Sequence, residues 1–339
     1  LKQSLKNIAV IGPNANDTEI LLGNYNGEPA HVISPLEGIQ NKFTNSNILY
    51  AKGCNVIDTP GYDKKTDYKE AIEMAQKAEV VIFVGGISPR LEGEDLKVKV
   101  PGFLGGDKTD LNLPTVQTEL LMELKKLGKP IVLVLLNGSA LSINWEQKEL
   151  DAIVETWYGG EKGGEALADV LAGDYNPAGR LPVTFYKSVT DIPKFDDYSM
   201  QGRTYRYLTK PVLYPFGYGL SYTKFAYSNL KLSAAELNSS KPLTISLNVK
   251  NTGDFNGDEV VQLYIKQFGS AMPVKELKGF KRVNIKKGEQ QTVTFKLDAK
   301  DITHYNEATK EMETIRGKLQ ILVGKSSGTA ELTANITLK

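Results

Sequence analysis

Two continuous apolar runs constrain this chain most. Residues 80–84 read VVIFV and residues 131–136 read IVLVLL, both bounded by Gly or Pro. A strand that is apolar at every position needs cover on both faces. Shorter runs at 8–11 and 152–154 belong to the same series. Helical patterns lie between them, at 68–78 (YKEAIEMAQKA), at 116–127 (VQTELLMELKKL) and at 163–172 (GGEALADVLA). The second starts just after Pro114 and ends at Gly128, and the third stops at Gly173. This alternation predicts a mostly parallel sheet with helices on both faces.

The pattern changes near residue 186. Residues 187–225 are rich in Pro, Gly and Tyr and have little periodicity. So many aromatics predict an ordered connector, since a floppy one favours Gly and Ser. From 226 onward short alternating segments such as ISLNVKN and TVTFKL predict seven strands, at 227–232, 243–250, 260–266, 279–285, 291–297, 318–323 and 331–338. Turns such as Asn256-Gly257 and Lys287-Gly288 separate them, as in a β-sandwich. The expected division is 1–186, an α/β sandwich; 187–225, the connector; and 226–339, the β-sandwich. The 339 residues suit about two domains.

Composition removes several function classes. A formal charge of +1 gives no basic field for nucleic acid or an anionic membrane. No apolar run approaches the ~18 residues that span a bilayer, so no membrane insertion is expected. Cys54 is the one cysteine and His31 and His304 are the two histidines. Neither an internal disulfide nor a multi-cysteine or zinc site is expected, and no metal or other cofactor is called for. Cys54 itself reads as a small buried hydrophobe. The opening LKQSLKNIAVIGPN has no apolar core behind basic residues, so no signal peptide is visible there. It begins close to a strand, which is the pattern of one part of a longer polypeptide.

Weak motifs have plainer readings. Gly12-Pro13-Asn14 lacks the three-glycine nucleotide fingerprint, and Pro13 removes an N–H donor. Gly324-Lys325-Ser326 lies in the all-β region and lacks the upstream glycine of a phosphate loop. Ser139, in Asn137-Gly138-Ser139, has no histidine base in prospect and is expected to cap the short helix that follows.

The segment Gly85-Gly86-Ile87-Ser88-Pro89-Arg90-Leu91-Glu92-Gly93-Glu94-Asp95 carries more. It leaves the carboxyl end of the VVIFV strand, where open α/β sheets place ligands. It belongs to a long loop, 85–113, and loops beyond about 12–15 residues in a compact domain are functional or disordered. Three carboxylates fall within four residues, beside Arg90. Adjacent carboxylates raise one another's pKa, and a protonated one can act as a general acid. On chemistry alone the loop fits either a solvated acidic segment or acid–base work on a sugar or ester bond.

At these residues the chain resembles the C-terminal two-thirds of a family-3 glycoside hydrolase, of the β-glucosidase and β-xylosidase type. The matching segments are KNIAVIGPN (6–14), GGISPRLEGED (85–95), GDKTDLNLP (106–114), KPIVLVLLNGS (129–139), ETWYGGEKGGEALADVLAGDYNPAGRLP (155–182), PFGYGLSYT (215–223), VKNTGDFNGDEVVQLY (249–264) and ELKGFK (276–281). They run nearly end to end, in order.

The resemblance implies an α/β sandwich followed by an immunoglobulin/fibronectin III-like β-sandwich, with an N-terminal (β/α)8-like barrel as the partner domain. It implies a retaining exo-acting β-glycosidase acting on terminal non-reducing β-linked sugars of an oligosaccharide or glycoside. The barrel supplies the aspartate nucleophile and most of the sugar pocket; the α/β sandwich supplies the general acid/base. In the family's Glu-Gly-x-Asp pattern that residue falls on Glu92, with Glu94 as runner-up. The family often has Arg after the Asp, whereas Leu96 stands here, and an insertion at 97–105 makes Asp107-Lys108 the displaced equivalent of Asp-Arg. The SPRLEGED form looks most like the β-xylosidase members. Family habit implies a periplasmic or secreted enzyme. The β-sandwich is expected to be structural support, and Tyr205, Tyr207, Tyr214 and Tyr218 of the connector to pack between domains. The alternative, from another class, is a non-catalytic carbohydrate-binding or scaffolding fragment of the same fold.

Overall fold

The computed structural model describes residues 1–238, 241–269, 272–306 and 308–339. They form two compact units, Leu1–Tyr175 with Tyr186–Val189, and Asn176–Phe185 with Thr190–Lys339. Residues 190–225 of the aromatic-rich stretch therefore sort with the second unit.

The first unit is a five-stranded parallel sheet. Its strands are β1 (Asn7–Ile11), β2 (Asn47–Ala51), β3 (Val80–Gly86), β7 (Ile131–Leu136) and β8 (Ala152–Glu155), in the order β2-β1-β3-β7-β8. Three two-residue strands, β4 (Lys99–Val100), β5 (Phe103–Leu104) and β6 (Asp107–Lys108), form a separate small sheet inside the long loop after β3. β3 and β7 are buried at every position, as their composition requires. One face, with Ile8, Val10, Ile82, Val84, Val134 and Leu136, packs with Leu36 and Ile39 of α1 (Pro35–Lys42) and Leu167 and Leu171 of α5 (Gly163–Ala172). Residues of the opposite parity, Ala9, Ile11, Val81, Phe83, Leu133 and Leu135, are equally buried. So are Ala71 and Ala75 of α2 (Lys64–Lys77) and Leu120, Leu121 and Leu124 of α3 (Thr115–Lys125). Each fully buried aliphatic side chain contributes roughly 1.5–3 kcal/mol. Capping agrees with composition. Ser34 Oγ accepts from Glu37 N–H at the start of α1, and α5 stops at Gly173 with φ +87°. Cys54 is fully buried, and burial pushes its thiol up to about 12, as an inert core residue would have it.

The second unit is a two-sheet sandwich. One sheet orders β10 (Glu236–Leu237), β18 (Leu332–Leu338), β17 (Gly317–Gly324), β12 (Gly257–Gln267) and β13 (Glu276–Ile285). The other orders β14 (Gln290–Leu297), β11 (Leu243–Asn251) and β9 (Phe225–Leu232). Alternate residues of β11, Leu243, Ile245, Leu247 and Val249, face the core with Val261, Leu263, Ile265, Ile321 and Val323. Buried Asn251 shapes the turn that follows β11. Its Nδ2 donates to the Phe255 and Ile285 carbonyls, and its Oδ1 accepts from Thr223 Oγ. Three of the connector tyrosines have ring partners within this unit, and Arg206 lies over the ring of Tyr207. Tyr205 stacks on Phe216 with centroids 4.4 Å apart, and Tyr214 stacks on Tyr218 at 5.2 Å.

Candidate active site

The loop that leaves β3 is anchored before it reaches its acidic residues. Gln117 on α3 donates from Nε2 to the Gly86 carbonyl at 2.7 Å and accepts the Gly86 N–H at 2.9 Å. Asn14 Nδ2 donates to the Ile87 carbonyl at 3.2 Å. The chain then folds over Ser88, whose carbonyl accepts both Leu91 N–H and Glu92 N–H. Asn24 Nδ2 holds the Glu92 carbonyl at 2.9 Å.

This frame turns the Glu92 carboxyl toward the carboxyl ends of β7 and β8. Three donors converge on it. Gly138 N–H reaches Oε1 at 2.5 Å, Tyr158 O–H reaches Oε1 at 2.6 Å, and Ser139 O–H reaches Oε2 at 2.5 Å. Gly138 is needed here, because a Cβ would fall 2.9 Å from Glu92 Oε1 and 3.0 Å from the Tyr158 ring. Ser139 therefore corrects one expectation. It caps no helix: α4 (Asn144–Glu149) begins five residues later without a side-chain cap, and the Ser139 hydroxyl is spent on Glu92. Burial, and then the Glu92 charge, hold the Tyr158 phenol well above its ordinary range, so it stays an O–H donor.

The other acidic residues of the segment diverge. Glu94 is exposed and accepts from Tyr25 O–H at 2.7 Å. Asp95 is exposed, with φ +57°. Arg90 turns away to pair with Asp17 and Glu19. There it lines a cavity of about 350 Å³ with Pro13, Asp17, Lys52, Asn55 and Ser88. The carboxylates that are neighbours in sequence thus have separate partners in space.

The insertion 97–105 folds out and returns. Gly93 N–H donates to the Gly106 carbonyl at 3.3 Å, and Gly106, at φ +89°, lies so close to the Gly93 carbonyl that no Cβ fits between them. The return sets Lys108 within electrostatic reach of Glu92, its Nζ donating to the Ala140 carbonyl at 2.5 Å. Burial brings the Lys108 ammonium down to about 8, with the charges of Glu92, Glu155 and Asp110 opposing the shift. Glu155, the last residue of β8, accepts from Asn137 Nδ2 at 3.3 Å and from Trp157 N–H at 3.2 Å. Burial pushes its carboxyl up to about 8, against those hydrogen bonds and Lys108.

At neutral pH the cluster therefore holds a cationic Lys108, a protonated Glu155, a phenolic Tyr158 and a rigidly held Glu92. Perturbed titratable groups gathered at the carboxyl edge of a parallel sheet make a candidate functional site. A fixed carboxyl of this kind can give and take a proton along one direction. Lys108, Glu155 and Tyr158 were not singled out as site residues by sequence reasoning. The usable signal was local: a glutamate closing a buried strand, and a lysine directly after the insertion.

Comparison with known proteins gives the family. A family model described as Glycosyl hydrolase family 3 C-terminal domain matches residues 1–222, and one described as Fibronectin type III-like domain matches 259–327. A xylan 1,4-beta-xylosidase from Xylanibacter ruminicola is 46% identical over 77% of this chain and 30% of its own length. A periplasmic beta-glucosidase from Salmonella typhimurium is 36% identical over 94% of this chain and 45% of its own. The structure of a β-glucosidase from Erythrobacter marinus superposes with a TM-score of 0.84 at 33% identity, over 99% of this chain and 47% of that one. The chain thus spans less than half the length of each, a smaller share than the two-thirds expected from the sequence. With both of its parts matched in order, the chain belongs to glycoside hydrolase family 3, as that family's C-terminal domain followed by a fibronectin type III-like domain.

Proposed function

We propose that this chain is the acid/base half of a retaining, exo-acting β-glycosidase, with Glu92 as general acid/base. A barrel domain of the same enzyme supplies the nucleophile. The observation that carries the reading is the Glu92 carboxyl, fixed by Gly138, Ser139 and Tyr158 at the carboxyl edge of the sheet. In the first step Glu92 gives its proton to the leaving glycosidic oxygen as the nucleophile attacks the anomeric carbon. In the second it takes a proton from the water that releases the sugar. Both steps need one orientation of one group, and the two carboxyls of such enzymes lie roughly 5–5.5 Å apart. Glu94, exposed and held by Tyr25, is the rival. The substrate is a terminal β-linked xylose, with glucose as the second choice. A periplasmic or secreted enzyme fits the named periplasmic relative; among the described residues no helix is long and apolar enough to cross a membrane.

The test uses the full-length enzyme on nitrophenyl β-xyloside and β-glucoside, with the first-formed sugar observed by NMR. The expected result is β-configured product and a kcat/KM at least ~10-fold higher for the xyloside, a factor worth about 1.4 kcal/mol of transition-state binding. A preference for glucoside overturns the xylose assignment. A first product of α configuration overturns the retaining mechanism.

A further inference from the structure

Glu155 and Lys108 have no part in the proton transfers proposed above, yet both are tied to the turn that follows β7. Lys108 Nζ donates to the Ala140 carbonyl, and Glu155 accepts from Asn137 Nδ2. Between those two attachment points lie Gly138 and Ser139, which supply two of the three donors on Glu92. Asn137 Nδ2 also donates to the Ser139 carbonyl at 3.0 Å, which closes the turn on itself. The other Glu155 oxygen holds Trp157 N–H, and Trp157 has φ +54°, a left-handed conformation that a bulky side chain adopts only under constraint. Tyr158, the third donor on Glu92, is the next residue.

We propose that Glu155 is a positioning residue of this site: with Lys108 it holds the 137–140 turn, and by its grip on Trp157 it holds Tyr158, so that all three donors meet Glu92. The proposal rests on the assignment of Glu92 as the acid/base.

The working form of Glu155 is the neutral acid. Burial holds its carboxyl at about 8 and the Lys108 ammonium at about 8, so near pH 7 one buried cation and one neutral acid lie beside Glu92. The groups that face Glu155 are Asn137 after β7, Trp157 N–H after β8, Lys108 on β6 and Glu92 after β3; Tyr158 also feels its charge. Asp110 acts on Lys108 besides these. Asn137 Oδ1 is buried and has no hydrogen-bond donor among the described residues. As pH rises through 8, Glu155 becomes negative and Lys108 becomes neutral. Ionised Glu155 puts its charge on the Tyr158 donor and on Glu92 and disturbs the geometry the turn holds, so the alkaline limb of activity is assigned to Glu155.

The experiment compares Glu155→Gln, Glu155→Ala and Glu92→Gln with the wild-type full-length enzyme on an aryl β-xyloside between pH 5 and 9. Gln reproduces the neutral acid in shape and charge. Glu155→Ala is expected to lose ~10-fold or more in kcat with KM within about twofold, and Glu155→Gln to recover most of it near pH 6 and to lose the step near pH 8. An infrared carbonyl band of a protonated carboxyl, present in the wild type at pH 7 and absent from Glu155→Gln, is the second readout. Wild-type kinetics in Glu155→Ala, or a Glu155→Gln as impaired as Ala at pH 6, overturns the proposal, as does absence of the infrared band. Wild-type kinetics in Glu92→Gln instead sinks the Glu92 assignment itself.

Discussion

In the full-length enzyme, Glu92→Gln is expected to lower kcat/KM for glycosides with poor leaving groups by ~10²–10⁴, the usual worth of a positioned acid. Gln preserves the size of the side chain and can still accept the Gly138 N–H, which reaches Oε1 at 2.5 Å. It has no proton to give a departing alkoxide. A dinitrophenolate leaves without protonation, so kcat/KM for that substrate stays near the wild-type value. The same variant lacks the base that activates water in the second step. With the dinitrophenyl substrate, release of the sugar then becomes limiting, and a burst of one equivalent of phenol precedes a slow steady state. Plotting kcat/KM against leaving-group pKa reads the first effect directly. A slope equal to that of the wild type removes Glu92 from the mechanism.

The largest stability effect is expected in the β-sandwich unit. In the second unit Arg180 Nη2 donates to Glu259 Oε1 at 2.8 Å, with the two side chains 9% and 2% exposed. Arg180 Nη1 reaches the carbonyl of its neighbour Gly179, and its Nε has no partner among the described residues. Removing the carboxylate therefore leaves a buried guanidinium without a counter-charge. Glu259→Ala is expected to cost about 3–5 kcal/mol, the range for breaking a buried pair by deleting one partner. In a unit of this size that lowers Tm by roughly 6–20 °C. The double variant Arg180→Met/Glu259→Leu is expected to recover most of the loss, since apolar residues of similar volume need no counter-charge. Urea denaturation of the wild type and both variants checks this. A loss under about 1 kcal/mol for Glu259→Ala would show that the pair is hydrated and exposes its charge to water.

Much of the fold is legible in the sequence, for identifiable reasons. β3 and β7 lie in the middle of the sheet, so every position is buried and the runs are apolar throughout. β2 lies at the sheet edge with a half-exposed pattern, and its sequence NILYA carries no clear period. α1 and α4 span eight and six residues, too short for an amphipathic stripe to stand out. In the second unit the alternation along β11 is plain, whereas β10 and the hairpin of β15 (His304–Asn306) and β16 (Glu311–Glu313) are two- and three-residue pieces fixed by their partners.

The site is legible only in part. The loop after β3 and its glutamates stand out by position and by family resemblance. What surrounds Glu92 is assembled from distant stretches: Gly138 and Ser139 after β7, Glu155 and Tyr158 around the end of β8, and Lys108 beyond a nine-residue detour. Their convergence is a property of strand order, which places β3, β7 and β8 side by side. Ser139 shows the same limit: locally it has the look of a helix cap, and only the neighbouring strand supplies the carboxylate that takes its hydroxyl.

The most direct measurement is the product that Glu92→Ala forms from an activated aryl β-glycoside in the presence of azide. With the side chain gone, the glycosyl-enzyme forms but water attacks it slowly, and a small anion that needs no general base takes its place. The predicted result is restored turnover that yields the β-glycosyl azide, with no such rescue of Glu94→Ala. Rescue of Glu94→Ala together with an unrescued Glu92→Ala would contradict the assignment and move the acid/base to Glu94.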